Sequence, residues 1–212
     1  MKYILSCLII MLTVACNDKK EDIKKDNDRS NVTINTTPPS KNDRSGVNPY
    51  ALVDVSPMDM SYFPVDYPKL KMAKATTASP LARVIYSRPH LQGRHIFHEV
   101  LKYEEPWRLG ANEATELELF ADATIQGKKI KAGRYVLYCI PHTASWTVVL
   151  NTNTDTWGLE PDTAKDVARF EMPVVITKNS LEYFTIVFEK KDAGAELVMA
   201  WDDAEVRLPV TF

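Results

Sequence analysis

The sequence predicts an all-β protein: an antiparallel β-sandwich of jelly-roll type with one short helix, preceded by a disordered tether. Three observations carry that expectation. From residue 81 onward, apolar and polar residues alternate with period two in short runs, the pattern of half-buried strands. Turn residues interrupt these runs about every 10 residues, the spacing of sandwiches and barrels. Only residues 162–169 of this body read as a clear helix, with Asp162 as its cap.

Composition narrows the class further. The chain has 212 residues, 45% hydrophobic and 25% charged, with 26 Lys and Arg against 28 Asp and Glu. Such a balance provides no basic field to hold nucleic acid by its phosphates. Three cysteines are too few for a disulfide scaffold.

Residues 1–15 read as a signal peptide. Lys2 precedes an apolar stretch over residues 3–15, which falls short of the roughly 20 residues of a spanning helix and is ordered like a secretory signal. It closes on Leu12-Thr13-Val14-Ala15-Cys16, which resembles the lipobox of bacterial lipoproteins, with Leu12 one place further from the cysteine than in the commonest form. Processing there makes Cys16 the lipidated N-terminus, carrying palmitate-type acyl chains, and removes Cys7. Only Cys139 then remains in the folded part, so a structural disulfide is excluded. The alternative, a buried cysteine in an uncleaved helix, conflicts with the charged stretch that begins at Asn17.

Residues 16–48 have almost no large apolar side chains, so they read as lipid anchor and disordered linker. Lys20-Glu21-Asp22 resembles the export signal that sends some Bacteroidota lipoproteins to the cell surface, although charged linkers often contain such tripeptides. The expected location is therefore the cell envelope, lipid-anchored, at the outer membrane and exposed at the surface if the export signal acts. Residues 49–77 are rich in Pro, Tyr and Met. Pro57, Pro64 and Pro68 forbid a long helix, and an extended arm with one edge strand is expected. Residues 78–212 form the sandwich.

Within it, strand runs cover residues 81–86, 115–120, 134–140, 145–150, 170–177, 181–189, 195–202 and 204–212. Gln126-Gly127 marks a hairpin turn, and residues 95–101 read as another short turn of helix. Trp146, Tyr138, Phe184, Phe188 and Trp201 fall at strand positions and are expected in the core. Trp157 lies in a polar loop, as a lid, a stacking platform or a plug. Cys139 reads as a buried hydrophobe, because His142, three residues on, would face the other side of a strand.

Chemistry is concentrated in residues 86–116, which hold Arg88, Arg94, Arg108, three of the four histidines and Trp107. Arginine forks suit carboxylate, sulfate or phosphate groups. Asn112 adds an amide, and Glu113 a general base or counter-charge. The structural alternative is that Arg88 and Arg108 pair with Glu99, Glu104, Glu105 or Glu113 to brace the loop. His95 and His98, with Glu99 beside them, are weak metal candidates, because the helical zinc motif needs three residues between its histidines. No cofactor is expected: a nucleophile elbow, a phosphate-cradling loop and a dinucleotide fingerprint are all missing from the sequence.

The strings Tyr86-Ser87-Arg88-Pro89, Gly93-Arg94-x-Ile96-Phe97 and Pro106-Trp107-Arg108-x-Gly110-Ala111-Asn112-Glu113-Ala114-Thr115 resemble a Bacteroidota family, domain of unknown function 2911. Lys131-Ala132-Gly133-x-Tyr135, Ile140-Pro141, Trp146-Thr147-Val148, Trp157-Gly158 and Asp166-Val167 extend the similarity from about Ser79 to the C-terminus. The resemblance implies secreted or lipid-anchored β-rich proteins with no established activity. Arg88, Arg94, Arg108, Asn112 and Glu113 match its strings; His90, His95 and His98 do not.

Three functions follow from these residues: a cell-envelope module binding an anionic or glycan ligand through loop 86–116, a hydrolase-type enzyme with Glu113 as base, or a structural lipoprotein docking a protein partner. The expected partners are the membrane, through the lipid, and that small ligand, not nucleic acid. Whether the protein is an enzyme stays open at this point.

Overall fold

A computed structural model describes residues 54–212. The expected signal, Cys16, the linker and residues 49–53 of the arm lie outside the described residues. In chain order the strands are β1 (Met58–Phe63), β2 (Ala82–Ser87), β3 (Glu116–Leu119), β4 (Ala123–Ile125), β5 (Lys128–Ile130), β6 (Gly133–Pro141), β7 (Ser145–Asn151), β8 (Asp166–Pro173), β9 (Val175–Lys191) and β10 (Gly194–Thr211), with one α-helix, α1 (Tyr67–Met72), after β1. They form a six-stranded sheet, order β1-β2-β3-β6-β7-β8, and a four-stranded sheet, order β5-β4-β10-β9. Among the described residues every pairing of these strands is antiparallel, so the expected fold class holds.

The alternation in the sequence becomes the two faces of each sheet. In β8, Ala168, Phe170 and Met172 are buried while Val167, Arg169 and Glu171 are exposed. In β3, Leu117 and Leu119 face inward, and Glu118 on the other face pairs with Arg83 of β2. Residues of both sheets merge in one core, which takes in Trp146, Phe184, Phe188 and Trp201; each large apolar side chain so buried contributes about 1.5–3 kcal/mol. Gln126 and Gly127 both have positive φ, 46° and 77°, the geometry that two-residue hairpin turns demand, and they join β4 to β5.

Four element assignments are corrected. The one helix is not at residues 162–169. There, Asp162 does accept from Ala164 N at 3.1 Å, but a single 3-10 turn, Thr163–Lys165, gives way at once to β8. Its period-two burial outweighs the local helical propensity. The helix is α1 instead, with Pro68 in its first turn, where a missing N–H costs nothing. Residues 95–101 hold one wide turn rather than a helix, since Phe97 is extended and His98 has φ 96°. Residues 195–202 and 204–212 are one strand: Asp202, at φ 52°, makes a bulge in β10 and not a turn. The run 170–177 in turn straddles the end of β8 and the start of β9.

Residues 58–63 supply the edge strand β1, paired to β2 along its length. Phe63 anchors it by stacking on Phe212, ring centroids 5.3 Å apart.

Tyr138 of β6 gives the fold a pH dependence. Its hydroxyl donates to the Asp166 carboxylate at 3.0 Å. Burial first, then the hydrogen bond to Asp166 and the Asp166 charge, push its pKa up to about 12. The fold therefore favours the protonated phenol. The resulting stability is complete below the ordinary value of about 10 and is lost as pH rises toward 12. Urea midpoints measured between pH 8 and 11.5 should fall less steeply for Tyr138→Phe than for the wild type; equal slopes would refute the assignment.

Candidate functional site

Loop 86–116 closes one end of the sandwich, and much of it is core. Leu91, Ile96, Trp107, Leu109, Ala114 and Thr115 are all buried. Trp107 is bonded to β6 in both directions, its N–H donating to Cys139 O at 2.7 Å and its carbonyl accepting from Cys139 N at 2.9 Å. The indole Nε1 donates to Gly110 O at 3.2 Å, and Thr115 Oγ1 donates to Leu109 O at 2.5 Å. The string from Trp107 to Thr115 is thus a self-bonded loop whose residue types are set mainly by packing.

The three arginines do not converge. Arg88 donates to Asp59 Oδ2 at 3.1 Å, Phe184 O at 3.2 Å and Thr185 Oγ1 at 3.2 Å, tying β1 and β9 together. Arg94 closes its own turn by donating to Leu91 O at 2.8 Å and His90 O at 3.1 Å. Asn112, in a left-handed conformation that asparagine tolerates, donates to Asp54 Oδ2 at 2.8 Å. Bracing does occur, but Asp59 and backbone carbonyls accept, not the glutamates of the loop.

Arg108 differs. Its Nη1 is shielded from water and has no hydrogen-bond partner among the described residues. Burial pulls its pKa below the ordinary arginine value, with the nearby Glu113 charge offsetting part of the effect. Its guanidinium carbon lies 5.8 Å from the centroid of the Trp157 ring, within range of a cation–π contact. Trp157 is 53% exposed, so it covers the arginine and does not plug the core. The loops are pressed together: a Cβ placed on Gly158 would meet Ala114 Cβ at 2.8 Å and Arg108 Cβ at 3.2 Å.

Arg108 lines a cleft of about 410 Å³ with Trp107, Trp201, Leu101, Lys102, Glu105 and Leu159 among its walls. Glu113 lies in a different depression, of about 540 Å³, with Met58, Glu116, Arg134, Asp155 and Trp157. Arg134 is already held there by Glu116 at 2.7 Å and Asp155 at 2.9 Å. Arg88 lines a third depression with His90 and Tyr183. Sequence reasoning missed Leu101, Lys102 and Leu159, and it read Trp201 only as core. Of the loop that faces them, only the Trp157-Gly158 dipeptide stood out.

His95 and His98 line a depression of about 280 Å³ with Tyr103, His142 and Asp202. His95 Nδ1 lies 3.3 Å from Asp202 Oδ2, and His142 is engaged by Glu104 at 2.7 Å. Among the described residues, no three His, Cys, Asp or Glu side chains are placed to share a metal ion. Cys139 is buried and unpaired, and burial pushes its thiol pKa well above the ordinary value. That is the opposite of an activated nucleophile. Among the described residues no helix is long and apolar enough to cross a membrane.

Comparison with curated proteins finds no match, and comparison with solved structures finds none. A family model described as "Protein of unknown function (DUF2911)" matches residues 68–210. That is more than half of the chain, and the chain belongs to this family.

Proposed function

We propose that this DUF2911 protein is a lipid-anchored module of the bacterial cell envelope, in keeping with a Bacteroidota origin, and that it binds an anionic or glycan ligand in the cleft beside Arg108. The observation that carries the reading is Arg108 Nη1, a donor shielded from water with no hydrogen-bond partner among the described residues. A shielded donor left without an acceptor costs free energy, and an anion entering the cleft relieves that cost through charge-assisted hydrogen bonds. Trp157 adds an exposed aromatic face beside it. Binding is favoured over hydrolysis because Glu113, the base in the enzyme reading, lines another depression.

The test is a thermal-shift and calorimetric screen of anions and glycans, comparing the wild type with Arg108→Met. The ligand that raises the wild-type melting temperature should bind at least tenfold more weakly to the variant, the loss of about one charge-assisted hydrogen bond. Equal binding would sink the proposal. Turnover that ceases in Glu113→Gln would establish the enzyme instead.

The anchor is tested separately. Cys16→Ser should leave the protein unprocessed or in the aqueous phase of a detergent partition. A cleaved variant that still enters the detergent phase would overturn the lipid assignment.

A further inference from the structure

We infer that the ligand of the Arg108 cleft is an amphipathic monocarboxylate, an apolar body with one carboxylate end, which reaches the guanidinium by displacing Trp157. The inference rests on the cleft being the binding site proposed above.

The lining selects the body. Trp107 and Trp201 are buried and form apolar floor, while Val100, Leu101, Pro106 and Leu159 supply apolar wall. The volume of about 410 Å³ is that of a small-molecule pocket. Polar side chains are few, and two of them are committed to each other, since Lys102 Nζ lies 3.3 Å from Glu105 Oε1. A sugar carries a hydroxyl on most of its carbons, and each one buried without a partner costs binding. An apolar body meets these walls without that cost.

The charge balance selects the head group. Arg108 is the one cleft cation without a hydrogen-bonded partner among the described residues. Its planar fork matches a carboxylate through two parallel hydrogen bonds. A phosphate monoester would bring a second negative charge beside Glu113, whose charge already offsets Arg108, while Lys102 is held by Glu105. That charge would go uncompensated.

The cover follows from Trp157. One loop bounds both depressions: Trp157 lines that of Glu113, while Gly158 and Leu159 line the cleft. Trp157 rests over the guanidinium, 5.8 Å from ring centroid to guanidinium carbon, yet is more than half exposed. The carboxylate replaces the ring at Arg108, and the freed indole moves against the apolar body of the ligand.

The test uses the purified full-length chain with four probes: octanoate, octanamide, glucuronate and inorganic sulfate. Affinity is read by calorimetry, and the environment of Trp157 by tryptophan fluorescence against Trp157→Phe. Octanoate should bind at least tenfold more tightly than the other three and change the fluorescence of the wild type but not of Trp157→Phe. Arg108→Met should lose at least tenfold of the octanoate affinity, and Arg108→Lys should retain part of it. The octanamide comparison needs no substitution, so it stands even if a variant misfolds. If glucuronate or sulfate binds in an Arg108-dependent way and octanoate does not, the ligand class is overturned and the cleft survives as the site. Equal binding of octanoate and octanamide would mean apolar adsorption and would also overturn the class. If octanoate binds without altering Trp157 fluorescence, the displacement step fails. Failure of every anion and glycan to bind in an Arg108-dependent way would remove both readings.

Discussion

Replacing Trp201 with alanine is expected to destabilise the domain by about 3–5 kcal/mol, the usual cost of deleting a large aromatic side chain from a core. Trp201 stands on β10, 1% exposed, with Trp107 stacked at 5.7 Å and Phe184 at 6.0 Å between ring centroids. Alanine would leave a cavity between the two sheets, directly beneath the Arg108 cleft, and Trp107 holds too many backbone bonds to collapse into it. The indole Nε1 also donates to Glu182 O at 3.1 Å. That carbonyl keeps a second donor in Leu91 N at 3.0 Å, so the lost hydrogen bond is the smaller part of the cost. Trp201→Phe should therefore recover most of the loss and stay within about 1–2 kcal/mol of the wild type. Urea unfolding with unchanged slopes measures both differences. A loss below about 1 kcal/mol for the alanine variant would show that the cleft floor is not part of the core.

The fold was legible where side chains alternate and illegible where backbone geometry decides. Leu117 and Leu119 against Glu116 and Glu118 announce β3, and Gln126-Gly127 announces the hairpin turn between β4 and β5. Asp202-Asp203 looks like the end of a strand, yet Asp202 makes a bulge because its carboxylate has partners waiting. It accepts from Ser180 Oγ at 2.7 Å and from Ile96 N at 3.3 Å. Those residues come from distant parts of the chain, so no local pattern announces the bulge. The site was legible in the same uneven way. Arg88, Arg94 and Arg108 share one dense segment of sequence, but the carbonyl and carboxylate partners of Arg88 and Arg94 lie on β9, on β1 and within the loop itself. Only the three-dimensional accounting of donors separates Arg108 from the two bracing arginines.

The contact of Gly158 with Ala114 yields a second large effect, and it ties stability to the site. Gly158 sits at φ +79°, and a Cβ there would lie 2.8 Å from Ala114 Cβ, 3.1 Å from Ala114 Cα and 3.2 Å from Arg108 Cβ. Gly158→Ala therefore combines a left-handed backbone penalty with overpacking, about 2–4 kcal/mol together. Ala114 is 7% exposed and its N–H donates to Thr156 O at 3.2 Å, so the loops cannot part without losing a backbone bond. Ala114→Gly removes the nearest obstacle but leaves the φ strain, the 3.1 Å contact with the Cα of residue 114 and the 3.2 Å contact with Arg108 Cβ. In a double-mutant cycle the pair should show a favourable coupling of about 1–2 kcal/mol, with Gly158→Ala worse alone than beside Ala114→Gly. Additive effects would show that the two loops are not in contact. The same cycle bears on binding, because Gly158 follows Trp157 directly. Forcing the loops apart should lift the ring from Arg108 and raise the exposure of Trp157, which acrylamide quenching detects. The double mutant should move the quenching part of the way back to the wild-type value, since the packing that stabilises this end of the sandwich is also what holds the tryptophan over the arginine.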